Sequence, residues 1–284
     1  MVERIVMIVS GALAAAVLAG GLFLQTKAPR TDRLWADGFT RTPQFETQGE
    51  GVYALKDLRA FVFDENGPAE RAWRDVTLDA AALESVWFFI EPFPANDLFA
   101  HSFLSFVFRG PGGTRDAVSI SVEARKEAGE TYSALRGVLR EYELLYIWST
   151  EKDILTRIAI DLDHPLRAYE LAISPAQGRA IFEHFVQRTN DLAERPRFYN
   201  TWGSNCTNEL AKAVNDAFPG ALPWRPVWVL TGRSAQWLHG AGFIEPAETP
   251  FADVQAAADI REKVQSLRAR PPSAFSAAWR GVEN

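Results

Sequence analysis

The chain has 284 residues and a formal net charge of −6 at pH 7. This acidic balance argues against a general nucleic-acid-binding protein, which would present a basic surface. The single cysteine excludes an internal disulfide framework, and it excludes zinc or iron–sulfur sites built from several thiolates.

The N-terminus carries the most apolar stretch of the sequence. Residues 5–25, IVMIVSGALAAAVLAGGLFLQ, contain no charged side chain and are long enough to cross a bilayer as a helix. A cleaved secretory signal is the alternative, although its apolar core is usually shorter. We therefore predict one transmembrane helix, an anchor or signal over residues 1–27, followed by a polar linker over residues 28–50.

A β-rich region follows the linker. Residues 100–125, AHSFLSFVFRGPGGTRDAVSISVEAR, contain two strand-like runs around a Gly-Pro-Gly-Gly turn, which predicts a hairpin. Apolar and polar residues alternate over 118–123, so the second strand has one polar face. The runs YELLYIWST and YELAI predict further strands.

Two helices with clear start and stop signals come next. Ser174, Pro175 and Gln177 form a capping-box pattern that predicts a helix ending before Pro196. A second helix is predicted from about Cys206 to Phe218. Residues 51–220 are therefore predicted as one domain, and residues 221–284 as a Trp- and Pro-rich, partly helical extension that packs on it. The order of elements predicts an α+β fold, with an antiparallel sheet and flanking helices.

The only cysteine, Cys206, lies at the start of the second helix. Unpaired N–H groups and the helix dipole lower the pKa of a thiol placed there, and those N–H groups can stabilise an oxyanion. These features favour a nucleophile that needs neither a metal nor an organic cofactor. The alternative is a small buried apolar residue, since free cysteines are often buried.

One of the four histidines has a favourable partner. If the hairpin loop is centred on Gly112, His101 lies opposite Glu123 and the two side chains share a face of the sheet. A carboxylate in that position fixes the imidazole tautomer. With an even number of loop residues the register slips, and Val122 becomes the neighbour instead.

Four blocks of the sequence resemble one bacterial family. AHSFLSF, VSISVEARKEAGETYSALRGVLREYELLYIW, EKDILTRIA and FYNTWGSNCTNEL resemble the envelope domains typified by the N-terminal periplasmic domain of the lipoprotein intramolecular transacylase. The resemblance covers residues 85–215. This family is similar to circularly permuted papain-like thiol enzymes, in which histidine precedes cysteine, so the resemblance implies a permuted papain-like fold.

The resemblance also implies roles for residues of this sequence. Cys206 matches the nucleophile, His101 matches the general base, and Glu123 is expected to orient the base or the substrate. Five further residues fall on recurring motif positions and are expected to shape the pocket or contact the substrate: Tyr132, Arg157, Tyr199, Asn200 and Asn205.

Together these features predict a membrane-anchored cysteine acyltransferase or hydrolase with its body in the periplasm or outside. It would act through a thioester on a lipoprotein or lipid acyl group, with the lipid bilayer as partner. One alternative is a peptidoglycan amidase or peptidase, and another is a non-catalytic scaffold that binds a partner through the Trp-rich segment 222–238. An apolar groove near Cys206 would favour lipid, and a polar cleft would favour peptide.

Overall fold

The computed structural model describes residues 2–94, 96–110 and 114–282. Its helices are α1 (Val2–Thr26), α2 (Ala134–Val138), α3 (Glu151–Thr156), α4 (Pro175–Glu194), α5 (Cys206–Ala217), α6 (Ser234–Gly240), α7 (Phe251–Ala257), α8 (Arg261–Ser266) and α9 (Pro272–Arg280). Its strands are β1 (Gln44–Gly49), β2 (Val52–Arg59), β3 (Val62–Asp64), β4 (Gly67–Glu70), β5 (Trp73–Asp79), β6 (Leu83–Phe93), β7 (Asn96–Arg109), β8 (Arg115–Arg125), β9 (Glu143–Thr150) and β10 (Arg167–Glu170).

The N-terminal segment predicted as an anchor begins at Met1, which lies outside the described residues, and continues through α1. Within the described ranges, no helix combines the length and apolar character that crossing a membrane requires. The predicted anchor is therefore not supported.

One large sheet forms the centre of the molecule. Its strands follow the order β1-β2-β9-β8-β7-β6-β10, and β5 pairs with β2. Neighbouring strands run antiparallel, except for a short parallel contact between β2 and β9. Helices flank this sheet, so the predicted α+β class with an antiparallel sheet is confirmed.

The β7–β8 hairpin has the first of the two registers that the sequence left open. Phe103 pairs with Ser121, and Arg109 pairs with Arg115. Continuing this register by two residues places His101 opposite Glu123, as a loop centred on Gly112 requires. Gly112 itself lies outside the described residues.

Both faces of the sheet are covered. On one face, α4 presents Phe182 and Phe185, which make edge-on ring contacts with Phe106 and Trp148. Burying a side chain of this size contributes about 1.5–3 kcal/mol. Because side chains alternate along a strand, Phe103 points to the opposite face and joins a second cluster with α3, α8 and α9.

Segments outside the predicted domain also contribute to the folded body. Residues 28–50, predicted as a linker, supply strand β1 and the buried Trp35 and Phe39. The C-terminal extension supplies Trp228 to the α4–α5 face and Phe275 to the other.

The capping box of α4 is present as predicted. The Ser174 side chain accepts a hydrogen bond from the Gln177 N–H, and the Gln177 side chain accepts one from the Ser174 N–H. These bonds satisfy donors that a helix start otherwise leaves free. The start of α4 is therefore fixed by its own sequence.

Candidate functional site

Cys206 is the first residue of α5, as the sequence predicted. The preceding residue, Asn205, caps the helix: its Oδ1 accepts a hydrogen bond from the Asn208 N–H at 2.8 Å. The Cys206 side chain is buried. A helix start leaves N–H groups without intrahelical acceptors, so the thiol lies where negative charge is favoured.

The orientation of α5 is fixed by Glu209, which lies one turn after the cysteine and is fully buried. Its carboxylate accepts hydrogen bonds from Tyr146 Oη at 2.6 Å, from Arg188 Nη2 at 2.6 Å and from Lys212 Nζ at 2.7 Å. Burial raises the pKa of this carboxyl, but Lys212 and Arg188 outweigh it and hold the pKa at about 2. This network ties α5 to α4 and to β9, and so positions Cys206.

His101 projects from β7 into a relay of two polar side chains on β8. Its Nε2 lies 2.7 Å from Ser121 Oγ, and the Ser121 hydroxyl donates to Glu123 Oε1 at 2.6 Å. The direct separation between His101 Nε2 and Glu123 Oε1 is 3.4 Å. Because the one serine proton goes to Glu123, the serine oxygen accepts from His101 Nε2–H. That leaves His101 Nδ1 as the nitrogen that can take a proton.

Ser121 was missed in the sequence, although a signal for it existed. It belongs to the polar face of the alternating strand 118–123 and lies two residues from Glu123, on the same side. Glu123 therefore contacts the His101 imidazole chiefly through the Ser121 hydroxyl.

Cys206 and His101 form an electrostatically coupled pair. Burial raises the pKa of the Cys206 thiol, but the neighbouring His101 imidazole outweighs burial and lowers the pKa below its ordinary value. Burial lowers the pKa of His101, yet Glu123 and Cys206 raise it from 6.5 to about 9. Both directions favour a thiolate beside an imidazolium at neutral pH.

The pair opens into a cavity of about 450 Å³. Its wall includes all of the predicted site residues except Asn200. Besides these, the wall includes Glu91, Lys126, His164, Phe93, Phe99 and Thr201.

Two tyrosines form one side of this cavity. The Tyr132 and Tyr199 rings meet edge to face, with their hydroxyl oxygens 3.4 Å apart. Tyr199 is buried, and burial together with the nearby Cys206 raises its pKa well above 10. The Tyr199 phenol therefore stays neutral and can donate a hydrogen bond to a bound molecule.

The two predicted asparagines serve the backbone. The Asn205 Nδ2 donates to Thr201 O and to Trp228 O at 2.9 Å each, so its polar atoms are all engaged. Asn200 lies outside the cavity wall, and its Oδ1 accepts from the N–H groups of Trp202 and Gly203. The two residues thus shape the loop that leads into α5.

A second histidine was missed. His164 Nδ1 lies within hydrogen-bond distance of Glu91 Oε1, and its side chain lines the same cavity. Glu91 pairs with His101 across β6 and β7. The hydrogen bond with Glu91 raises the pKa of His164. The segment DLDHP gave no sign of this contact, because it depends on the long-range packing of that loop against β6.

A second, apolar cavity of about 310 Å³ lies beside the thiol cavity. One face of α5 lines it with Thr207, Leu210, Ala211 and Val214. The hydroxyl of Thr207 bonds to Ser102 Oγ at 2.8 Å, and its Oγ1 lies 3.8 Å from Cys206 Sγ. The cysteine is thus one residue away from an almost wholly apolar space.

The described residues contain no group of three or more His, Cys, Asp or Glu side chains that could hold a metal ion. The cationic side chains of the cavity wall, Lys126 and Arg157, are instead suited to anionic groups.

Comparison with known proteins gives one match. No curated protein and no solved structure matches the chain. The family model described as "Lnb N-terminal periplasmic domain" matches residues 69–231, which is more than half of the chain and includes Cys206, His101 and Glu123. It is the family that the sequence blocks indicated, and it implies a periplasmic domain in an envelope lipoprotein-processing protein. The chain belongs to the family of Lnb N-terminal periplasmic domains.

Proposed function

We propose that this protein is an envelope thiol acyltransferase or hydrolase that takes an acyl group from a lipid or lipoprotein onto Cys206. The observation that carries the proposal is the buried Cys206 thiol at a helix start beside the His101 imidazole. The Nε2 of this imidazole is held by Ser121, which in turn donates a hydrogen bond to Glu123. This arrangement is the one that nucleophilic acyl transfer requires.

The first half of the proposed reaction forms a thioester. The reaction starts from the ion pair, with the thiol proton already on His101 Nδ1, and the Cys206 sulfur attacks the acyl carbonyl carbon. Free N–H groups at the start of α5 stabilise the negative oxygen of the tetrahedral intermediate. The bond to the leaving group then breaks, and the leaving oxygen or nitrogen takes the proton from His101.

The second half releases the acyl group. His101 takes a proton from water or from an acceptor hydroxyl or amine, which attacks the thioester carbonyl. Cys206 leaves as a thiolate that regains its imidazolium partner. With water the product is a free acid, and with an acceptor it is a transferred acyl group.

The chain order supports a permuted papain-like arrangement as part of this proposal. His101 comes from a strand that precedes the cysteine helix, and its Nδ1 is the nitrogen left for the thiol. The scaffold alternative is weaker, because Trp228 of the Trp-rich segment is buried and makes an edge-on contact with Trp237 at 5.0 Å. That tryptophan packs on the core.

The apolar cavity beside Thr207 favours a lipid acyl group over a peptide. Its wall offers almost no polar surface, so a peptide would lose hydrogen bonds with water there without replacement. A hydrocarbon chain would lose none, and each buried CH₂ contributes about 0.8 kcal/mol.

Intact-mass measurement of the protein after incubation with a diacyl phospholipid or a diacylated lipopeptide tests the proposal. We expect a mass increase equal to one acyl group on wild type, reversed by hydroxylamine and absent in Cys206→Ser. If no acyl adduct or turnover is detected and wild type instead cleaves a peptidoglycan stem peptide, the peptidase alternative is correct. If wild type reacts with neither kind of substrate, the scaffold alternative replaces ours.

A further inference from the structure

The mouth of the thiol cavity is surrounded by exposed apolar side chains. Phe93, Phe99 and Tyr132 line the cavity and are each more than a third exposed. Trp202 follows the lining residue Thr201 in the chain. We call the following residues the rim: Phe93, Leu98, Phe99, Tyr132, Trp202 and Leu230.

Such clustering is unusual on a protein surface. Beyond α1, most of the large apolar side chains that are exposed in the described part of the chain belong to the rim. Single exposed apolar residues need no explanation, but a contiguous patch at the mouth of a site marks a contact surface. Tyr and Trp carry an apolar ring with a polar atom, and they concentrate where water meets lipid.

The cavity behind the rim holds two cations without matched anions. Within the described residues, the Arg157 guanidinium makes no hydrogen bond or salt bridge, and the Lys126 ammonium lies 5.3 Å from the Phe39 ring centroid without an ion pair. Glu123 interacts electrostatically with both of them and also with His101, while Asp161 interacts with Arg157 and Glu130 with Lys126. Neither cation makes a salt bridge with a carboxylate of the described residues, so a bound anion would give each of them a direct partner.

We propose that the rim docks onto a phospholipid surface and that Lys126 and Arg157 bind the lipid phosphate. This inference rests on the proposed function, because it identifies the class of lipid that would bring an acyl group to Cys206. In a glycerophospholipid the ester carbonyls lie only a few bonds from the phosphate. A phosphate held by the two cations therefore brings an ester carbonyl into the same cavity as the thiol.

The apolar rim favours a lipid over a peptide as the bearer of the anion. A peptide carboxylate would satisfy Arg157 equally well through two parallel hydrogen bonds. It would leave the rim aromatics in water, whereas a lipid interface buries them. Rim and cations together therefore fit a phospholipid headgroup.

The single native cysteine allows a direct test in the full-length protein. In a Cys206→Ser background, Leu98→Cys places an environment-sensitive fluorophore on the rim. Arg74→Cys places the same fluorophore on β5, a strand that contributes no residue to the cavity wall. Because the fluorophore responds only to its own surroundings, any contact between α1 and lipid would not shift its emission.

Vesicles of phosphatidylcholine with phosphatidylglycerol are then added. We expect a blue shift of the probe at position 98 and none at position 74. Lys126→Gln and Arg157→Gln should each weaken this binding by about fivefold. The matched exposed cation change Arg195→Gln should leave it unaltered.

Vesicles of digalactosyldiacylglycerol provide a bilayer surface without phosphate. Docking that is equally strong on these vesicles overturns the proposal, as does docking that is insensitive to both glutamine variants or a probe at position 98 that never shifts. Because the test uses protein without its thiol, a wild type that forms no thioester would refute the proposed function and leave the docking result standing. If Cys206 reacts but the protein fails to dock, the docking proposal is refuted and the proposed function stands.

Discussion

Replacing Glu123 with glutamine tests how the imidazole is kept charged. Glu123→Gln preserves shape and removes the negative charge that is chiefly responsible for raising the pKa of His101. The difference between 6.5 and about 9 corresponds to about 3.4 kcal/mol in favour of the imidazolium. Without Glu123, burial still lowers the pKa and only Cys206 and Glu91 oppose it, so we expect the His101 pKa to fall towards its ordinary value of 6.5.

The raised pKa of His101 also determines the direction in which its contribution to the free energy of unfolding changes with pH. A histidine whose pKa is raised in the folded state stabilises the fold fully below pH 6.5, and this contribution is lost as pH rises through about 9. The lowered pKa of Cys206 contributes with the opposite sign, so the loss should be seen in a Cys206→Ser background, where that contribution is absent. In that background, Glu123→Gln should make the loss smaller and should lower the free energy of unfolding at the acidic end of the window.

Two measurements check this prediction. The His101 ring protons can be followed by NMR from pH 5 to 10, and urea unfolding can be measured at the same pH values. Ser121→Ala is the matched control, because it removes the bridging hydroxyl but keeps the carboxylate 3.4 Å from Nε2, and it should lower the pKa of His101 by less. Equal His101 pKa values in wild type and Glu123→Gln would refute the reasoning.

Two further predictions concern the supports of the site. Glu209→Gln leaves Arg188 without its buried anion, so we expect the free energy of unfolding in urea to fall by about 3–5 kcal/mol at neutral pH. This loss should shrink as pH falls from 4.5 towards about 2, because the Glu209 carboxylate becomes protonated there in wild type. A loss below about 1 kcal/mol at neutral pH would contradict the prediction. Gly232→Ala would place its Cβ 1.9 Å from the Asp97 carbonyl oxygen, whereas a Cβ at Gly240 meets no atom within 4 Å. We expect Gly232→Ala to lower the free energy of unfolding by about 1–3 kcal/mol and Gly240→Ala to change it by less than about 1 kcal/mol, and equal values would contradict this account.

Much of the site followed from local signals in the sequence. The capping pattern at Ser174 and the helix start at Cys206 depend on residues within one turn, which is why they could be predicted. The register that brings His101 opposite Glu123 depends on a short loop and on strict alternation along β8. Both kinds of signal act over a few residues.

The remaining features depend on packing between distant segments. His164 reaches Glu91 from a loop more than seventy residues away in sequence. Trp35 and Phe39 are buried against β9 although their segment reads as polar. No local pattern specifies these contacts, because each depends on which surface the fold presents to the segment.

The central claim is that His101 keeps Cys206 ionised. The most direct test is the rate of Cys206 alkylation by iodoacetamide between pH 5 and 10, in wild type and in His101→Ala, with Cys206→Ser as the unlabelled control. We predict that the wild-type rate rises at a pH below the ordinary thiol pKa of 9.0, and that in His101→Ala this rise moves to a higher pH, because burial is then opposed only by the hydrogen bonds of Ser102 and Thr207. Identical pH profiles for the two proteins would contradict the account.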